Sequence, residues 1–465
     1  MVKPVKHISR RTALRGGTAA AVLALTGCGH RPTTTTRIYP FAADITVPLG
    51  HGMMGGSWVS KSVADPLEAR GFVLTGAEPP VVWVSLDWCE LRNDAYARWQ
   101  TVLADAAGTQ PERVMISTLH QHDAPVADLT AERILRERSL AGSVCDLDFH
   151  EVAVQRTAAA LKSARPSAQP VTHLGTGQAR VIQVASNRRY EMPDGTVRWD
   201  RTSATRNAFA IAAGEGLIDP WLKTLSFWNG NQPLVAVSFY AVHPMSYYGQ
   251  GEVSADFPGL ARRARQNETP ESFQLYVSGA SGNVTAGKYN TGARENRAVL
   301  AERLRQAMAE AWENTHRTPL PSWTFRSASL TLEPRTSPGF TEADLPAKLV
   351  SGEKPFHQCL AAMGLSWRRR VRQGIPLEIP CLDFGSAAVV LLPGETYVDY
   401  QLVAQQLRPD DFICVAGYGD GATGYVPTEA HWQENDANLG DWCWVNPGSE
   451  SRLRTALAQA LGVTA

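Results

Sequence analysis

The run "RVMISTLHQHDAP", residues 113–125, decides how this chain is read. An apolar stretch with the composition of a buried strand empties into two histidines one residue apart. In extended backbone, positions i and i+2 face the same side, so His120 and His122 would present both imidazoles to one site; on a helix they would diverge. Imidazole is the commonest protein ligand for zinc, and paired histidines are a recurrent start to a metal site. Two hydrogen-bonded histidines in a loop satisfy the same short pattern, so the surrounding sequence has to discriminate.

Outward from this run, strand-like and helix-like segments alternate. "VVWVSLDW" (81–88) predicts a buried strand, and "DAYARWQTVLADAAG" and "FHEVAVQRTAAALKSA" predict helices. "LKTLSFW" and "PLVAVSFYAVH" predict two strands joined by the turn "NGNQ"; the strand "FQLYVSG" and the amphipathic helix "RENRAVLAERLRQAMAEAWEN" follow. "LEIPCLDFG" and "AAVVLLPGE" predict a hairpin, and "YVDYQLVAQQL" the helix after it. This is the rhythm of an α/β domain, with no repeat of solenoid length.

In open α/β sheets, ligands bind at the carboxyl ends of strands. Four segments carry polar chemistry there: "STLHQHDAP", "SFYAVHPMSYYGQ", "VVLLPGETY" and "ICVAGYGDGATGYVPTE". His120, His243 and Glu395 together supply the N/N/O set of a catalytic zinc that keeps an open position. Tyr425 adds an oxygen ligand or a proton donor, or simply packs. "GDGATG" (419–424) fits G-x-G-x-x-G, but Pro427 follows too closely for a dinucleotide-binding helix, so a flexible active-site loop is expected. "HQHDAP" departs from the metallo-β-lactamase pattern H-x-H-x-D-H at Ala124 and Pro125, and no G-x-S-x-G is present. "YVSGASGNVTAG" (276–287) is either a tight turn or a row of backbone N–H groups facing a substrate oxygen.

The chain has 465 residues, 44% of them hydrophobic, which is enough for a core without staples. Basic and acidic residues number 45 each, so no net field recruits nucleic acid. "SRRTALRGGTAAAVLALTGCG" joins Arg10 and Arg11 to a short apolar run ending at Cys28. Residues 1–28 therefore read as a twin-arginine, lipoprotein-type signal, with Cys28 acylated after cleavage and an uncleaved anchor as the alternative. The product would be periplasmic or at the cell surface, held to the membrane by its lipid. "GHRPTTTTRIYP" (29–40) reads as a polar tether, and 41–465 as the folded domain. The other six cysteines are scattered with no C-x-x-C pair; Cys89, Cys381 and Cys414 lie in apolar runs that suit free thiols as well as bridges.

Taken in order, "ADITVPLGHGMMGG", "DPLEARGFVL", "VVWVSLDW", "STLHQHDAP", "SNRRYEMPDG", "AVHPMSYYGQGEVSADFPG", "SGASGNVTAG", "LLPGETY" and "GYVPTEAHW" resemble the neutral/alkaline (non-lysosomal) ceramidases and their bacterial relatives. The resemblance implies a ceramidase-like α/β fold, a single large mixed-sheet domain flanked by helices. It implies one Zn2+ ion on His120, His243, Glu395 and Tyr425, with His122 as a proton relay behind the ligands and Arg188 near the substrate. The implied reaction is hydrolysis of an N-acyl sphingosine or related N-acyl lipid to a fatty acid and an amine.

Several positions depart from the family. Thr285 stands in place of the serine associated with activity, keeping a hydroxyl but adding a methyl group. "LHQHDA" replaces T-H-T-H-S-G, with Asp123 and Asp256 as candidates to orient the ligands. The chain ends at "SESRLRTALAQALG", so the family's C-terminal immunoglobulin-like domain is not expected. Two other readings fit the same residues. One is a metal hydrolase of an ester, cyclic amide or phosphoester, in which Asp123, Glu252 or Asp256 completes a second metal position. The other is a non-catalytic surface lipoprotein that retains the fold.

Overall fold

The computed structural model describes residues 35–76, 78–320, 322–350 and 354–463. The expected signal (1–28) and the tether as far as residue 34 lie outside the described residues. The tether was expected to reach residue 40, but strand β1 (Arg37–Asp44) already begins at Arg37. Ile38, Tyr39 and Phe41 are buried, and their burial overrides the threonine- and proline-rich composition. Pro40 is tolerated because the short edge strand β5 (Gln169–Pro170) pairs only with Arg37 and Ile38.

The expected mixed sheet is divided among three, and each is built by the same succession of elements. The first module runs β1, β2 (Glu68–Thr75), β3 (Val81–Leu86), α1 (Asn93–Ala107), β4 (Val114–Thr118) and α2 (Leu147–Ala164). The second runs β6 (His173–Arg180), β7 (Trp221–Asn229), β8 (Gln232–Tyr240), α3 (Asp256–Glu268), β9 (Phe273–Ser278) and α4 (Glu295–Glu313), closed by the edge strand β10 (His316–Pro319). The third runs β11 (Thr324–Leu330), β12 (Leu377–Asp383), β13 (Ala387–Leu391), α6 (Val398–Leu407), β14 (Phe412–Ala416) and α7 (Ser449–Leu461), with α5 (Pro355–Arg372) inserted after β11.

In every module the first three strands pair antiparallel, and the third and fourth pair in parallel across a helix. The two helices of each module pack on one another, and the later one also packs on the module's first strand. This threefold repetition of topology carries no repeated sequence, because only burial alternation and turn positions are shared.

Strand alternation sorts the core into two faces. Val82, Val84 and Leu86 of β3 belong to the core shared with the helices, whereas Val81 and Trp83 point into an interior shared by the three sheets. Strand β13 divides likewise, with Ala388 and Val390 against Ala387, Val389 and Leu391. Burial on both faces explains why these strands read as continuous apolar runs. Aromatic contacts tie the sheets together: Phe72 meets Phe227 at 5.4 Å between centroids, Trp83 meets Phe239 at 6.0 Å, and Phe227 meets Phe384 at 5.7 Å.

Phe227 touches aromatic rings from the first and third modules, so Phe227→Ala opens a void where the three sheets meet. The expected loss is about 3–5 kcal/mol of unfolding free energy, read from the denaturation midpoint. A loss below about 1 kcal/mol would show that this interior can collapse around the gap.

Candidate metal centre

The sequence-predicted residues converge at the carboxyl ends of the parallel strands. Beyond β4 the chain stays alongside the chain leaving β3: Leu119 N–H donates to Leu86 O at 2.8 Å, and His120 N–H to Trp88 O at 3.0 Å. His120 itself has φ of 66°, a left-handed conformation rare outside glycine. The pair therefore does not converge by strand periodicity, as the spacing predicted. The backbone turns at His120, and the rings of His120 and His122 meet edge to face at 5.6 Å.

His243 follows β8 and is pinned by His243 N–H to Val284 O at 2.8 Å. Glu395 follows β13 in a short strand that pairs in parallel with Tyr425. Gly424 is obligatory in this pairing: its φ is 61°, and a Cβ there would stand 1.9 Å from Trp442 O. Close approach also demands Gly282, whose Cβ would meet Glu395 O at 2.2 Å. The "GDGATG" segment is buried rather than a flexible loop. Asp420 accepts from Asn93 N–H at 3.0 Å and Ala422 N–H at 3.2 Å, bracing the segment that presents Tyr425.

His120 Nε2 lies 3.1 Å from Glu395 Oε2, and His243 Nε2 lies 3.5 Å from the same oxygen. All three residues are at most 3% exposed, and one ligand atom from each lies within 4.8 Å of the other two. His120 Nδ1 sits 2.9 Å from Cys89 O, and His243 Nδ1 sits 3.1 Å from both Ser281 O and Tyr418 Oη. Carbonyl oxygens only accept, so Cys89 O assigns the His120 proton to Nδ1, and Ser281 O, closer to His243 Nδ1 than the donor Arg188 Nη2 at 3.5 Å, favours the same tautomer there; both Nε2 lone pairs then face Glu395. Burial, reinforced by His120 and Arg188, holds His243 well below the usual histidine range. His243 Nε2 and Glu395 Oε2 are buried with no hydrogen-bond partner. A desolvated N/N/O donor set with orphaned atoms fits a bound cation.

Arg188 is buried beside this set. Its Nη1 donates to Tyr425 Oη at 2.9 Å and to Asn438 Oδ1 at 3.0 Å. Burial alone would lower the Arg188 pKa, but Tyr425 and Glu395 outweigh it and raise the pKa above the ordinary value. Burial raises Tyr425, with Arg188 opposing. Tyr425, His120, His122 and Glu395 line one cavity with Cys89, Glu90, Met54 and Trp442. His122 has an unpartnered Nδ1, and burial, with His120 and Arg188, holds its pKa well below normal.

Other expected residues are placed differently. Thr285 Oγ1 donates to Thr202 O at 2.6 Å and accepts from Gly287 N–H at 3.1 Å, so the hydroxyl is committed away from the cavity. Its link to the site is a backbone bridge to His243. The N–H groups of the 276–287 loop are also engaged: Gly279 with Tyr240 O at 2.8 Å, Ala280 with Gln401 Oε1 at 3.0 Å, and Gly282 with Thr396 O at 3.0 Å. Asp123 and Asp256 do not orient the imidazoles. They flank Arg297 at 3.2 and 3.4 Å and accept from Gly249 and Ser246 N–H, fixing the loop that sets Tyr248 against His122. With Glu252 turned to Arg294 at 2.8 Å, the second metal position considered for these carboxylates does not form among the described residues. The six described cysteines are buried and free.

Sequence reasoning passed over Tyr418 and Glu90. Tyr418, at φ of 55°, stacks on His120 at 4.2 Å and shares a 2.8 Å hydrogen bond with Ser281 Oγ. Glu90 Oε2 accepts from Arg92 at 2.7 Å, while its unpartnered Oε1 lies 4.0 Å from His120 Nδ1. Glu90 sits at a strand-end position in "SLDWCE", the same signal that singled out Glu395.

Tyr418→Phe removes one of the three groups that contact His243 Nδ1, leaving Ser281 O and, at 3.5 Å, Arg188 Nη2. Metal affinity measured by chelator competition should fall about 10-fold or more, with the fold intact. Unchanged affinity would mean that Ser281 O and Arg188 set the ring without the phenol.

Two solved structures share this fold. A structure titled "Ceramidase complexed with C2" matches with a TM-score of 0.67 at 18% identity, over 92% of this chain and 76% of its own. The neutral ceramidase from Pseudomonas aeruginosa matches with a TM-score of 0.67 at 18% identity, over 93% of this chain and 75% of its own. No family model matches the chain, and neither does any curated protein sequence. In architecture, the chain is ceramidase-like.

Proposed function

We propose that this protein is an exported, zinc-dependent hydrolase of a lipid amide such as an N-acyl sphingosine. The observation that carries the reading is the buried set His120, His243 and Glu395, with His243 Nε2 and Glu395 Oε2 lacking any partner. It stands at the strand ends of a fold shared with ceramidases. Zinc held there, with Tyr425 as a further oxygen ligand, supplies a Lewis acid for the amide carbonyl and a water acidic near neutrality.

The chain's own groups provide the remaining chemistry. Hydrolysis breaks the C–N bond, adds the oxygen of water to the acyl carbon, and requires a proton at the departing nitrogen. His122 lines the cavity, burial holds its pKa well below the ordinary histidine range, and its Nδ1 has no partner, so it is placed to take the proton that the attacking water gives up and deliver it to that nitrogen. Arg188 holds the Tyr425 hydroxyl in place and keeps positive charge beside the carbonyl's position. Acylation at Cys28 would keep the enzyme at a membrane surface where lipid amides reside.

Zinc-loaded protein should release fatty acid from N-acyl sphingosines or simple N-acyl amides. Cleavage confined to esters or phosphoesters would replace the amide reading, and no cleavage on the whole panel would end the enzymatic one. His120→Ala should lose the metal. His122→Ala should retain it while the rate falls about 10²- to 10⁴-fold. Equal metal loss in both variants would show that His122 is a ligand to the same ion.

A further inference from the structure

We propose that Cys89, His120 and His122 form a second ion position, selective for thiophilic metals and mutually exclusive with the position at His120, His243 and Glu395. One ligand atom from each of Cys89, His120 and His122 lies within 4.8 Å of the other two. All three line one cavity, and none is more than 9% exposed. Cys89 is a free thiol, and His122 Nδ1 is buried without a partner. The group thus holds a soft sulfur, a committed imidazole and an imidazole with an unused lone pair.

Exclusivity follows from His120, which belongs to both triads. Its Nδ1 is 2.9 Å from Cys89 O and carries the ring proton, so Nε2 is its only free donor. One lone pair binds one ion. The two triads differ in softness: zinc, a borderline ion, accepts either donor set, whereas the thiolate gives cadmium, copper(I) or mercury a preference for the Cys89 side. An ion entering the Cys89 triad displaces the thiol proton to solvent and forms a metal–sulfur bond. It also withdraws His120 from Glu395 and ties up His122, so it inhibits by occupying the wrong side of a shared ligand.

The inference rests on the hydrolase reading only in naming zinc as the competing ion. Cadmium added to the metal-free protein should produce the ultraviolet charge-transfer band of a cadmium–thiolate bond at one ion per chain. Cadmium added to the zinc-loaded protein should release zinc in equal amount. The band should vanish in both Cys89→Ser and Cys89→Ala, and both variants should still bind zinc as the parent does. Cadmium bound without a thiolate band, a band that persists in the Cys89 variants, or cadmium and zinc held together would overturn the proposal. Zinc retained by a protein that cleaves nothing would defeat the hydrolase reading and leave the cadmium result standing.

Discussion

Two imidazole lone pairs and a carboxylate held 3.1 to 3.5 Å apart in a desolvated interior form an unfavourable grouping, one that a bound cation would relieve. The rest of the site is arranged to keep that unfavourable grouping together. Cys89 O and Ser281 O each engage one imidazole from behind, and Gly424 and Gly282 let the backbone carrying Glu395 come close. Arg188 contributes fixed charge from the side, bonded to Tyr425 rather than to the carboxylate. The left-handed backbone at His120 is part of the same arrangement, since it turns the imidazole out of the strand direction and over the cavity.

The sheets make such convergence possible. Each module pairs two strands in parallel, and the segments leaving those strands are themselves buried, so the side chains they carry are held by packing. His120 comes from the first module, His243 from the second and Glu395 from the third. No single module holds more than one member of the triad. The site therefore depends on the shared interior around Phe72, Trp83 and Phe227 as much as on its own hydrogen bonds.

Strand ends were the legible part of the sequence. His120, His243 and Glu395 each follow an apolar run that stops at a polar side chain, whereas Tyr425 follows a glycine loop; His120, Glu395 and Tyr425 line one cavity, and His243 groups with His120 and Glu395. Arg188 was recognised by resemblance alone, since it lies in a loop with no periodicity. For Thr285 a sequence shows that a hydroxyl is present, not which way it points; here it donates to Thr202 O. Tyr418 was missed because a tyrosine between two glycines, Gly417 and Gly419, reads as part of a turn, and nothing in the sequence shows that its positive φ lays the ring on His120. The threefold topology was hidden for a related reason: two-sided burial specifies hydrophobicity and length but leaves the particular residues free.

His120 and Tyr418 stand at equivalent places, each just past the last strand of its module, each with positive φ, and their rings lie against one another. The scaffold repeats a position while the chemistry at that position differs: an imidazole in one copy, a phenol in the other. Because the topology sets the place and the residue there sets the group, a candidate metal centre drawn from three modules can carry different donors at equivalent positions.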